Sequence, residues 1–324
     1  MGRLSSYLFC ACFTCCSFYP SRTAAAPIQK LRVLTSFLPV YCFTANIAAG
    51  LAEVENLLPA NVEPHDYQFS RKDLQKLSRA DLLIVNGLGM ENWLEKAYRV
   101  QGHPTKVVAI EAGLESELIY SSPEERSKRE GATGRNRSEP GMGANRQPNP
   151  HIWLDPRLAC RASANILSAL QKADPANAAG YGSNAAVYVK RLEQLDLELT
   201  KSLAPLRGSP LVTFHNAFDY FARRYELKII GVIEPVPELE PSLKHLAGLY
   251  RSIRENGVRA IFTEAGAPSR LARQIARDLG LPLAELETLE IGPMNPAAYE
   301  QAIRRNAQVL LAYLSRSYAT RPTP

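Results

Sequence analysis

Short runs rich in leucine and β-branched residues alternate along this chain with longer stretches whose apolar positions recur every three or four residues. Residues 31–36, 81–86 and 106–110 read as strands in the first half, and 211–214, 228–233, 258–263 and 283–286 in the second. Helical patterns fill the intervals over 41–58, 70–79, 243–255 and 269–279, the last closed by Gly280. Another helix is expected to start at Asp155-Pro156, an acidic cap followed by proline at the first helical position. Strand and helix in alternation imply parallel sheets covered on both faces, here as two α/β units. Between them, Tyr188, Leu192, Leu195, Leu199 and Leu203 fall on one face of a long helical pattern over 176–203. A helix of that length is a stiff connector. The expected fold class is therefore α/β, with two doubly wound lobes joined by one long rigid helix and a ligand site in the cleft between them.

Two segments depart from this rhythm. Residues 121–148 are rich in Gly, Arg, Asn, Ser and Pro, and with so little apolar surface they read as a mobile surface loop. At the start, Arg3, the apolar stretch 8–19 and the small residues Thr23-Ala24-Ala25-Ala26 read as an export signal. The expected organisation is a signal peptide over 1–26, a first lobe over 27–174, a linking helix over 175–206 and a second lobe over 207–324.

With 46% hydrophobic and 22% charged residues, the 324-residue chain has the balance of a water-soluble globular protein and the length for two cores. A net charge of +6 is modest at this size, and no basic stripe interleaved with aromatics supports nucleic-acid binding. Cys10, Cys12, Cys15 and Cys16 lie inside the signal segment. Cys42 and Cys160 beyond it can pair in an oxidising compartment or stay as two thiols.

Candidate chemistry rests on histidine. Of five in the chain, three stand in short punctuated loops: His65 in Glu63-Pro64-His65-Asp66, His151 in Asn149-Pro150-His151-Ile152-Trp153, and His215 in Thr213-Phe214-His215-Asn216. Neutral imidazole is the commonest protein metal ligand. His215, Glu264 and Glu287 each follow a predicted strand, so they face the crevice beyond the carboxyl ends of the second sheet. His65 and His151 lie in loops of the first lobe, which puts a shared metal site at the lobe interface. Glu63 is a further acidic candidate beside His65, with an exposed loop role as the favoured reading; Asp66 is read as either an orienting partner of His65 or a loop cap, and His103 and His245 as surface residues.

The segments 34–39, 63–68, 80–93, 149–156, 212–217, 261–264 and 286–293 resemble the extracytoplasmic metal-binding proteins of zinc and manganese ABC importers, in the same order along the chain. Pro64-His65-Asp66-Tyr67 and the Asn86-Gly87-Leu88-Gly89 run before Trp93 are the most specific of these. The resemblance implies two α/β lobes, a single long helix, and one ion held by His65, His151 and His215. It also implies a monomer outside the cytoplasm, periplasmic in location, that takes up a divalent cation and passes it to a membrane permease. The family's fourth ligand is usually an aspartate just after the last strand of the second lobe; Glu287 occupies that place here, with Glu264 as the alternative.

Three nitrogens and one carboxylate suit Zn²⁺, whereas Mn²⁺ favours more oxygen, and His215 stands where manganese importers often carry a carboxylate. Zinc is the expected cargo and manganese the alternative. Against zinc, 121–148 holds no histidine, whereas zinc-specific members often have a His-rich loop there. Two other readings fit the same residues: a zinc hydrolase with Glu264 as base to a bound water, and a surface adhesin on the same fold. No His-Glu-x-x-His helix or nucleophile–base pairing supports the first. An adhesin would not require His215.

Overall fold

Among the described residues, eight short strands build two separate sheets. In the computed structural model, which describes residues 29–65, 67–94, 106–120, 147–235, 240–266 and 269–315, β1 (Arg32–Thr35), β2 (Glu53–Asn56), β3 (Leu82–Val85) and β4 (Lys106–Ala109) lie in the order β2-β1-β3-β4. β5 (Pro210–Thr213), β6 (Lys228–Val232), β7 (Ile261–Glu264) and β8 (Leu283–Leu286) repeat that topology as β6-β5-β7-β8. Every pairing is parallel. The inner strands β3 and β7 are buried along their whole length, as expected of parallel strands covered on both faces. In each sheet the order reverses between the two central strands, and a crevice opens there beyond the carboxyl ends.

The helices are α1 (Leu38–Ala48), α2 (Arg71–Arg79), α3 (Pro156–Ala173), α4 (Ala178–Leu203), α5 (Asp219–Arg224), α6 (Leu243–Glu255), α7 (Arg270–Leu279) and α8 (Ala298–Leu314). One sequence expectation is corrected here. Instead of a helix through residue 58, α1 stops at Ala48 and β2 follows. Ala49 and Gly50 both take left-handed backbone angles, φ 42° and 83°, and so close the helix. β2 is an edge strand with Glu53 and Glu55 exposed, which gives it the polarity of a helix surface. The helix α8 is a further element that the sequence pattern left unassigned. The export segment and residues 121–146 of the proposed loop fall outside the described residues.

Helix α4 runs between the lobes. At 1.5 Å per residue its 26 residues span roughly 39 Å. Tyr181, Ala185, Tyr188, Leu192, Leu195, Leu199 and Leu203 are buried along one side, against α1, α3 and α8. Arg191 ties this strut to both lobes: its guanidinium donates to Glu300 on α8 and, at 3.1 Å, to Asn46 on α1. A single hydrophobic cluster runs from Val33 in the first lobe through α4 to Leu314, and a smaller one lies under α6 and α7. Leu192→Ala removes a fully buried side chain from that shared core. It should cost about 2–5 kcal/mol in urea unfolding; a change below ~1 kcal/mol would mean that α4 is not part of the shared core.

Candidate metal centre

The crevice-facing ends of both sheets carry the three histidines to one point. His65 sits in the loop after β2. That loop is pinned where the Trp93 indole N–H donates to the Pro64 carbonyl at 3.0 Å and where the Tyr67 ring meets Trp93 edge to face. Asp66 lies outside the described residues.

His151 occupies the tight turn before α3, and the residues around it explain the surrounding motif. Asn149 Oδ1 accepts both the His151 backbone N–H at 3.0 Å and its Nδ1–H at 2.7 Å. The Asn149 amide then donates across the cleft to the Asn216 carbonyl and to Asp219. Trp153 donates to the Thr288 carbonyl at 2.8 Å, and Tyr299 to the Trp153 carbonyl at 2.7 Å. The His151 turn is thus fastened to the second lobe on both sides.

His215 follows β5, and Glu264 ends β7. In the parallel register Thr213 lies opposite Phe262, so the residues two places further on meet, and His215 Nδ1 is hydrogen-bonded to the Glu264 carboxylate. With Nδ1 engaged in both His151 and His215, each ring turns Nε2 inward. His65 Nε2 lies 3.4 Å from His151 Nε2, which lies 3.1 Å from His215 Nε2.

The fourth group is Glu290. Its Oε1 is 3.1 Å from both His65 Nε2 and His151 Nε2, and its Oε2 is 4.0 Å from His215 Nε2. Ligand atoms of His65, His151, His215 and Glu290 all lie within 4.8 Å of one another. This corrects the expectation for Glu287, whose carboxylate turns to Arg305 on α8 at 3.0 Å while Asn306 brackets its backbone N–H and carbonyl. Glu264 is corrected as well: it stands behind His215 rather than among the converging atoms. The cause of the first correction is a turn. Leu289 takes φ 66°, rare for a branched residue, and swings the chain so that Glu290 enters the cleft. Glu287 still belongs to the strand end that faces α8.

Four of these spacings, at 3.1–3.4 Å, lie near the edges of a tetrahedral shell, and the Glu290–His215 edge, at 4.0 Å, is longer. Zinc–nitrogen bonds of about 2.0–2.1 Å imply ligand–ligand edges of about 3.3–3.4 Å. Side-chain exposures of 17, 2, 6 and 0% for His65, His151, His215 and Glu290 leave little access for water. Glu290 Oε2 is buried without a hydrogen-bond donor, an arrangement that a cation would satisfy.

Electrostatics follow from burial and crowding. Burial drives His151 down to about 3, against the opposing pull of Glu290. Burial also disfavours charge on His215, but Glu264 and Glu290 outweigh it and lift this group to about 9. For Glu290, burial acts upward, yet the imidazoles of His151 and His65 beside it and the charge of His215 hold it well below the usual carboxylate range. Glu63 is half-buried rather than exposed: desolvation and the neighbouring Glu290 push it up to about 8. His245 is half-buried too, its Nε2 donating to the Val232 carbonyl at 2.9 Å, and His103 lies outside the described residues. Cys42 and Cys160 are free thiols, with Cys42 donating to the Asn295 carbonyl.

The sequence profile of the family described as "Zinc-uptake complex component A periplasmic" (ZnuA) matches residues 33–313. The high-affinity zinc uptake system protein ZnuA of Bacillus subtilis (strain 168) is 32% identical over 290 residues, 88% of each chain. The zinc-binding protein AdcA of Streptococcus pyogenes serotype M3 is 32% identical over 263 residues, 81% of this chain. The chain spans about half (51%) of that AdcA protein's length. Among solved structures, the SBP FpvC from Pseudomonas aeruginosa in complex with Mn²⁺ superimposes with a TM-score of 0.76 at 27% identity, covering 89% of this chain and 100% of that one.

Proposed function

This chain belongs to the ZnuA family of periplasmic zinc-uptake components, and from that premise we propose that it captures one zinc ion outside the cytoplasm and delivers it to an ABC-type permease. The observation that carries this reading is the closed set of His65, His151, His215 and Glu290, whose ligand atoms all lie within 4.8 Å of one another. A shell of four protein ligands leaves no coordination position for a substrate, unlike catalytic zinc sites, which keep three ligands and an open place. Zinc is therefore cargo, and the protein is a carrier rather than a hydrolase. No helix among the described residues is long and apolar enough to cross a membrane, and the family's place in an uptake complex supports a separate permease as partner. The carrier works as a monomer, with both lobes contributing ligands from one chain.

Mn²⁺ is the second reading, because the FpvC structure holds that ion. The donor set here argues for zinc: three imidazole nitrogens and a single carboxylate match its preference, while manganese favours oxygen-rich shells. Competitive titration with both ions, together with elemental analysis of purified protein, decides between them. One equivalent of Zn²⁺ should bind and displace Mn²⁺. Free Zn²⁺ at a hundred times its Kd should stabilise the fold by about 2.7 kcal/mol, seen as a rise in Tm. Preferential retention of Mn²⁺, or no thermal shift with either ion, would count against the assignment.

A further inference from the structure

We propose that Glu264 is a positioning residue for metal capture, which fixes His215 with Nε2 toward the cation and supplies the second negative charge that neutralises a divalent ion in this pocket. The proposal rests on the zinc-carrier reading and assigns a role within it.

The first support is geometric. Glu264 is the last residue of β7, its backbone held by pairing with Leu286 on β8, and it is 7% exposed. Its carboxylate therefore has a fixed origin, and its hydrogen bond to His215 Nδ1 leaves only Nε2 free to coordinate. An imidazole that donates Nδ1–H to a carboxylate is held in one tautomer and orientation and is a more basic ligand through its other nitrogen.

The second support is a contrast within the site. His151 Nδ1 is held by Asn149, a neutral amide, at 2.7 Å. His215 alone of these two is backed by a charge.

The third support is charge balance. A divalent ion bound by three neutral imidazoles and the Glu290 carboxylate carries one uncompensated positive charge into a pocket where His151, His215 and Glu290 are almost fully buried. Buried charge persists only when it is paired. The Glu264 carboxylate, one imidazole ring away from the ion, brings the sum to zero. A monovalent ion would leave the cluster negative, and a trivalent one would leave it positive.

The test uses the full chain and its Glu264→Gln and Glu264→Ala variants. Glutamine keeps the shape and an oxygen acceptor for Nδ1–H but removes the charge; alanine removes both. Zn²⁺ affinity by chelator competition should fall on the order of tenfold for glutamine and a hundredfold for alanine. One equivalent should still bind. The absorption spectrum of the Co²⁺-loaded glutamine variant should keep the intense tetrahedral bands of the parent, because the four coordinating atoms are unchanged. Should the alanine variant fail to fold, the near-isosteric glutamine variant still decides the matter. Both variants binding Zn²⁺ within twofold of the parent would overturn the positioning role and leave the carrier reading intact. A change of cobalt coordination class in the glutamine variant would overturn it in favour of direct ligation by Glu264. A parent protein that binds no divalent ion would remove the carrier reading, and this inference with it.

Discussion

Glu290→Ala should abolish tight zinc binding, while Glu287→Ala, three residues earlier, should leave it unchanged. Glu290 is fully buried and touches His65 and His151 at 3.1 Å, so it is the one anionic member of the converging set. Removing one partner of a buried charge pair costs about 3–5 kcal/mol, and at 1.4 kcal/mol per decade that is roughly two to four powers of ten in Kd. Glu287 pairs with Arg305 where both side chains are partly exposed, at 31% and 51%. Such pairs contribute about 0–1 kcal/mol to stability and nothing to the ion. Chelator competition on the two variants side by side measures the difference. Loss of binding in Glu287→Ala with retention in Glu290→Ala would restore the ligand expected from the strand pattern and refute the geometry described above.

That pair of glutamates shows where sequence reasoning stops. Counting from the end of β8 selects Glu287, because position after a strand is legible and the path of the following turn is not. The left-handed angle at Leu289 decides which carboxylate enters the cleft, and a leucine gives no hint of it. The three histidines were legible because each stands in a loop punctuated by proline or a strand end. Glu264 was legible as a candidate but not in its role. Its place behind His215 depends on the β5–β7 register, which no local pattern encodes. Helix α4 was read to within two residues at its start, since seven apolar side chains at steps of three and four leave only one face to bury. β2 was missed for the opposite reason: four residues at a sheet edge bury too little to impose a period of two. The contribution of Asn149 falls between these cases. Its neighbours marked the motif, but the hydrogen bonds that reach Asn216 and Asp219 come from the other lobe, about seventy residues away.

Zinc affinity should rise by on the order of a hundredfold between pH 6 and pH 8, with release of one proton per ion bound at neutral pH. In the metal-free protein the carboxylates of Glu264 and Glu290 outweigh burial and keep His215 protonated up to about pH 9. A protonated ring has no lone pair for the cation, so binding must displace that proton. Between pH 8 and pH 6 each unit of acidification then costs about one decade in apparent affinity through His215. His151 does not add to this slope, because burial keeps it neutral down to about pH 3. The sign reverses for the stability of the metal-free protein. His215 is raised above its ordinary value of 6.5, so its stabilising interaction is fully present below that pH and fades as pH climbs through about 9. Acid therefore strengthens the empty fold at this residue while it expels the cargo, and alkali does the opposite. Titration calorimetry in two buffers of different ionisation enthalpy reads both the proton count and the slope. A Kd that stays flat from pH 6 to pH 8, with heats independent of the buffer, would mean that His215 enters the site already neutral and that its pairing with Glu264 does not hold the proton.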